Sequence, residues 1–332
     1  MFKKATELDS RNASAYDNWG AALANQGKNT DAILLHKRAI ELDPNFAPAY
    51  TNEGLALGNL GDYTDAIPLH KRAIELDPNY APAYHNWGVA LSREGKSAEA
   101  IPLFKKAIEL YPNYATAYNN WAAALVNQGK DDEAIPLFKK ATELDRNYAP
   151  GYYNWARALL VEGKNAEAIP LFKKATELDP NYAFAYGNWG VALAGQGENG
   201  EAIRLFKKAI KVSPNYADAY NNWGKVLADQ GKNAEAIQLY KKAIEIDPKY
   251  ATAYTNWGAA LVTLGKNLEA IPLFKKATEL DPNYAPTYYN WGAALAHQGK
   301  KDEAIRFFEK ATELDPKRFP TVPPIDGPSA KK

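Results

Sequence analysis

Four histidines, His36, His70, His85 and His297, are the only imidazoles of this chain, and it contains no cysteine. Thiolate metal sites, thiol nucleophiles and a disulfide framework are therefore excluded. No HxxxH or HExxH spacing occurs, and no GxxxxGK[ST] phosphate loop. His36 and His70 stand where most later stretches carry Phe, so they are expected to replace a packed aromatic rather than to bind a metal. Carboxylates are plentiful but recur at fixed intervals, which suits a solvated face better than an acid–base pair. Lys-Lys pairs at 105–106, 139–140, 173–174, 207–208, 241–242 and 275–276 make a basic stripe, with acidic residues four to six positions on to neutralise it. No catalytic residue, metal site or cofactor is expected.

The side chains whose spacing best suits chemistry are amides. Asn18, Asn52, Asn86, Asn120, Asn154, Asn188, Asn222, Asn256 and Asn290 recur every 34 residues. Each can donate to and accept from an extended peptide backbone. Each can equally join one helix to the next and fix their stacking. The residue before each Asn varies: Asp17, Thr51, His85, Asn119, Tyr153, Gly187, Asn221, Thr255 and Tyr289. It is expected to project outward beside the amide. A base-by-base RNA reader would need polar residues that differ between units. An invariant Asn column specifies no sequence, so nucleic acid is not an expected partner.

These side chains are positioned by a ruler. Tyr precedes each Asn by two residues. All eight Trp fall one residue after it, at 19, 87, 121, 155, 189, 223, 257 and 291, with Glu53 the exception. Gly follows at 27, 61, 95, 129, 163, 197, 231, 265 and 299. A fixed period in this range means a solenoid or array. Residues 13–318 form nine full units, 1–12 half a unit, and 319–332 a Pro-rich tail in extended conformation. Each unit reads as two helices. Tyr118, Trp121, Ala122 and Leu125 recur at helical steps, Gly129 ends the first helix, and Ile135, Phe138, Ala141 and Leu144 line the second from about Asp131. The prolines Pro68, Pro102, Pro136, Pro170 and Pro272 are expected at the edge of the first turn of their helices. Trp and Tyr are expected to fill the larger spaces between helices.

The pattern Trp-Gly…Leu…Gly…Ala…Phe…Ala…Pro at this period resembles the tetratricopeptide repeat family over residues 13–318, and over 2–12 in part. The resemblance implies an all-α, right-handed superhelical solenoid of antiparallel helix pairs. Its first helices would line a concave groove and its second helices would face outward. It also implies a protein-binding scaffold rather than a catalyst. A similar asparagine ladder lines the repeats of a glycosyltransferase in that family, but no transferase domain is present here. The two-lysine clamp with which some members grip C-terminal carboxylates is missing.

Bulk properties narrow the partners further. With 40 Lys plus Arg against 39 Asp plus Glu, the net charge is +1, so no global field draws the chain to nucleic acid or an acidic membrane. No apolar run approaches the ~18 residues of a membrane span, and the N-terminus does not read as a signal peptide. Compartment is left open. The chain opens on the second half of a unit, and solenoids that stay monomeric need polar end caps. Phe2, Ala5 and Leu8 at the start, with Ile305, Phe308, Phe319, Val322 and Ile325 at the end, are the residues expected to meet if copies of the chain stack head to tail into a helical filament. The tail is expected at that joint, with folding back over Ile305 and Phe308 the alternative. A soluble adaptor gripping an extended peptide, or the recognition arm of a larger enzyme, are the alternative functions.

Overall fold

The computed structural model describes residue 6 and residues 8–323 of the 332. Two compact units divide the chain, one ending at Lys164 and the other beginning at Asn165. The boundary falls inside a 34-residue unit, between its two helices. In unit 1 the complete helices are α1 (Ala13–Ala24), α2 (Asn29–Leu42), α3 (Ala47–Leu60), α4 (Tyr63–Leu76), α5 (Ala81–Arg93), α6 (Ser97–Leu110), α7 (Ala115–Val126), α8 (Asp131–Leu144) and α9 (Ala149–Val161). Unit 2 holds α10 (Asn165–Leu178), α11 (Ala183–Gly195), α12 (Asn199–Val212), α13 (Ala217–Asp229), α14 (Asn233–Ile246), α15 (Ala251–Thr263), α16 (Asn267–Leu280), α17 (Ala285–His297) and α18 (Lys301–Leu314). No strand occurs among the described residues. Within each unit every helix packs on its sequence neighbours, and first helices also touch the next first helix, which is a helical solenoid.

The core is built on a size contrast. A bulky ring from each second helix sits against a small residue of the first. Phe104 is fully buried against Gly88, where an added Cβ would lie 2.7 Å from the ring. Phe138 packs in the cluster of Ala122 and Ala158, so the register tolerates a methyl where the ring shifts. Burying such a ring contributes about 1.5–3 kcal/mol. The largest fully buried side chains therefore come from the second helices, His36 and His70 among them. The Trp side chains are half-buried and pack against these clusters from the side, as Trp121 and Trp155 do.

The helix termini follow local chemistry. Carboxylates occupy the first turn of the second helices, as at Asp131, Asp132 and Glu133, where the dipole favours them. Gly129 adopts φ 72°, a left-handed turn that any side chain would strain. The interior prolines depart from expectation. Each is the sixth residue of its helix, as Pro68 is in α4 and Pro136 in α8. The helices begin early enough to place proline in the second turn. The carbonyls left without a helical donor, such as those of Thr64 and Asp132, belong to exposed residues, so water satisfies them.

Candidate functional site

The asparagine ladder is half-buried from Asn52 to Asn290, while Asn18 is exposed and donates to Ser14 Oγ at 3.3 Å. In unit 1 its amides reach back one repeat. Asn52 Nδ2 donates to both Asp17 carboxylate oxygens at 3.1 and 3.0 Å. Asn120 Nδ2 lies 3.0 Å from His85 Nε2. Asn154 Nδ2 donates to Asn119 Oδ1 at 3.0 Å. In unit 2, Asn256 Nδ2 donates to Asn221 Oδ1 at 2.9 Å. Each bond crosses 35 residues and joins consecutive first helices. Asn86 and Asn188 continue the column, and Asn222 accepts from Asn221 Nδ2 at 3.4 Å.

The residues before the asparagines do not project outward. Asp17, Thr51, His85, Asn119, Asn221 and Thr255 are all buried. The reason is helical geometry: a residue one step before the ladder is rotated toward the adjoining helix, not away from it. Their variation tunes the stacking contact. Asp17 takes His36 Nδ1 at 2.7 Å as well as Asn52. Asn119 bridges Asn120 and Asn154, while Thr255 Oγ1 meets Thr287 Oγ1 at 2.7 Å.

Burial pushes the His70 and His85 imidazoles down to about 4, so both are neutral at physiological pH. Glu53 is buried where other units carry Trp, and burial pushes its carboxyl above the usual range. Lys37 stands 3.9 Å from it. The same lysine position elsewhere covers a tryptophan: Lys71 lies over Trp87 at 5.0 Å and Lys105 over Trp121 at 4.9 Å. In unit 2, Lys207 lies over Trp223 at 5.0 Å and Lys241 over Trp257 at 5.1 Å. The second lysine of several pairs meets a glutamate, as Lys106 meets Glu109 at 2.8 Å and Lys242 meets Glu245 at 2.8 Å, whereas Lys208 lies over the Tyr186 ring at 5.6 Å. The basic stripe thus combines cation–π contacts with ion pairs.

Along the first-helix face of unit 1 lie three adjoining clefts. The first, with about 740 Å³ of space open to solvent, has His70 and Gly58 in its lining and Asn86 and Arg93 among its polar groups. The second contains Asn120 and Asn154, and the third Asn154 and Arg157. Sequence reasoning missed Arg93 and Arg157, because they break the 34-residue pattern instead of following it. No group of three or more His, Asp or Glu placed to hold a metal occurs among the described residues.

The residues expected at an assembly joint are distributed differently. Phe2, Ala5 and Ile325 lie outside the described residues. Leu8 is exposed, Ile305 is 37% exposed, and Phe308 is buried. Phe319 stacks on Tyr289, with centroids 4.7 Å apart. Val322 packs on the cluster of Leu295, Ala304 and Phe308. The described part of the tail therefore folds over its own last hairpin.

Tetratricopeptide repeat family models match residues 45–113, 91–154, 149–182 and 249–317, and a further TPR repeat model matches 190–231 and 224–265. The chain belongs to the tetratricopeptide repeat family. Members of this family typically act as protein-interaction scaffolds that bind proteins or peptides. No curated protein matches the sequence. Among solved structures, yeast Tom70 is 18% identical, with 96% of this chain and 88% of that one covered at a TM-score of 0.54. The APC/C hetero-tetramer Cut9–Hcn1 gives 16% identity, 95% and 78% coverage and a TM-score of 0.64. A tetratricopeptide repeat protein from Parabacteroides merdae gives 18% identity, 71% and 93% coverage and a TM-score of 0.60. At these identities the likeness shows the shared fold. No helix among the described residues is long and apolar enough to cross a membrane.

Proposed function

We propose that this chain is a non-catalytic scaffold that holds an extended segment of a partner protein along its first-helix face. The supporting observation is the row of adjoining clefts in unit 1 with the asparagine ladder in its walls. The stacking and peptide-binding roles of that ladder are compatible. An Asn side chain carries two N–H donors and a carbonyl acceptor. At Asn154 the 3.0 Å bond to Asn119 occupies one donor, which leaves groups that an extended backbone can use. The test is selection of a random twelve-residue peptide library on the immobilised chain, followed by transfer of the ligands to the triple variant Asn86→Ala, Asn120→Ala and Asn154→Ala. Affinity is expected to fall more than tenfold with a smaller relative loss of stability. Equal loss of both assigns the ladder to stacking alone, and failure to select any ligand removes the reading.

A second reading, head-to-tail association of copies into a filament, is favoured by one feature of the packing. Trp19, Leu23, Leu34 and Leu35, together with Lys28 and Asp31, line a cleft on the first complete hairpin. At later hairpins the matching Trp and Leu receive an Ile from the preceding second helix: Ile67 packs with Trp87 and Leu91, and Ile101 with Trp121 and Leu125. Ile305 is the last Ile of that series and is partly exposed. In this reading Ile305 of one copy seats on Trp19 of another, once Phe319 and Val322 give way. Sedimentation velocity at rising concentration decides it: a single monomeric species at high concentration rules the filament out.

A further inference from the structure

The three clefts of unit 1 share walls. The first and second have Val89 and Arg93 in common, and the second and third have Ala123, Asn127 and Asn154. A ligand following them passes from α3 to α9 over one surface. No Asp or Glu lines any of the three. Two cations do: Arg93 stands between the first and second, and Arg157 lines the third. Both are exposed, and neither has an ion-pair partner among the described residues. The adjacent carboxylates are occupied elsewhere. Glu94 is held by Lys96 at 2.8 Å. Asp17 is buried beneath Asn52 and His36. The imidazole of His70 adds no charge near neutrality.

The chain as a whole is almost neutral, so this is a local departure. It is also confined to unit 1. At the position of Arg93 in its repeat, unit 2 carries Gly195, Asp229, Thr263 and His297. At the position of Arg157 it carries Val191, Lys225, Ala259 and Ala293. Only one cation, Lys225, appears there, and a carboxylate, Asp229, lies one turn further along the same helix.

We infer that the first-helix face of unit 1 selects an acidic extended peptide, whose carboxylates pair with Arg93 and Arg157 while the asparagine amides hold the backbone between them. The inference rests on the peptide-binding reading above and gives its ligand class. A guanidinium presents a planar fork of donors that matches a carboxylate in two parallel bonds. A groove without carboxylates leaves that fork available and repels no acidic ligand. Single-stranded RNA is the other extended polyanion. It binds chiefly through a series of exposed aromatic platforms; of the Phe and Tyr rings lining the clefts, Phe104 and Phe138 are fully buried and Tyr63 in the first is half-buried.

The experiment uses the full chain and four fluorescent probes of equal length. One is a twelve-residue peptide alternating Glu with Ala or Val. Two are the same peptide with Gln or Lys in place of Glu, and the fourth is a twelve-nucleotide uridine strand. Fluorescence anisotropy at low and physiological salt is expected to show the Glu peptide binding at least tenfold tighter than the Gln peptide, with the gap narrowing as salt rises. The double variant Arg93→Glu and Arg157→Glu, with unchanged circular dichroism, is expected to close or invert that gap. Equal binding of the Glu, Gln and Lys peptides, or a gap unaffected by the double variant, overturns the acidic selectivity but leaves the peptide groove standing. Tighter arginine-dependent binding of the uridine strand than of the Glu peptide also overturns it. No binding by any peptide overturns both the selectivity and the groove.

Discussion

Replacing Glu53 with Trp restores the repeat pattern at its one exception, and the structure sets the size of the expected effect. The carboxylate is buried, 3.9 Å from Lys37 Nζ. An ion pair with one solvent-exposed partner is worth about 0–1 kcal/mol, against which stands the desolvation that raises the Glu53 pKa. In the variant, Lys37 would cover an indole as Lys71 covers Trp87, which contributes about 0.5–1 kcal/mol. Half-burial of the indole removes on the order of 100 Å² from water, or about 2.5 kcal/mol at ~25 cal/mol per Å². The net expectation is a stabilisation of about 1–3 kcal/mol, and thermal unfolding followed by circular dichroism should rise by several degrees. A separate control isolates the charge. A carboxyl with a raised pKa in the folded state binds protons more tightly there than when unfolded, so its ionisation lowers stability as pH rises through the interval above the ordinary Glu value. Glu53→Gln should flatten that part of the pH–stability curve. A lower melting temperature for Glu53→Trp would show that Glu53 has a required partner and that the slot is not a vacant tryptophan seat.

The imidazoles give an acid-side prediction. Their folded pKa values of about 4 lie below the unfolded 6.5, so the stability they confer is complete above 6.5 and is lost as pH falls from there to about 4. Each shift corresponds to about 3 kcal/mol in the acid limit, and His70→Phe should remove one such contribution from a urea-unfolding series across that range. Lys105→Met combined with Trp121→Leu in a double-mutant cycle should yield a coupling of about 0.5–1 kcal/mol; a value near zero would mean that the stacked lysine is only a solvated neighbour. Gly129→Ala forces a side chain into a left-handed turn and should cost about 1 kcal/mol, read as an earlier thermal transition. Removing residues 319–332 should lower the amide-exchange protection of α17 and α18, because Phe319 and Val322 cover Tyr289 and Phe308; unchanged protection would show that the strap contributes no packing.

The fold was legible in the sequence because every repeated residue answers to a local constraint. A glycine is required where φ turns positive, as at Gly129. A ring and a small residue must face each other where helices cross, as at Phe104 and Gly88. The ladder was legible for the same reason. What the pattern could not convey was orientation at the level of one residue. The side chains before the ladder vary, and variation reads as exposure, yet Asp17, Asn119 and Thr255 are buried partners of the next helix. The prolines misled in a similar way. Their positions follow from where the helix begins, and no residue type marks that start sharply. Arg93 and Arg157 were illegible because a period reveals only what repeats, and neither arginine does.

The last hairpin shows how the stacking rule and the tail meet. Within both units rings of second helices are covered by an Ala or Val twenty positions on, in the next first helix: Ala124 accompanies Phe104, Ala158 accompanies Phe138, Val226 accompanies Phe206 and Ala294 accompanies Phe274. For Phe308 that position falls on Pro328, outside the described residues. Val322 packs on Phe308 instead, and Phe319 on Tyr289, the residue that precedes the last asparagine of the ladder. An extended strap thus performs the covering role of a helix. It does so with few residues, because the prolines leave little chain entropy to lose. End-to-end stacking of copies must displace that strap first. The peptide-binding reading has no such cost, since the clefts of unit 1 are open, and this asymmetry is the physical ground for placing it first.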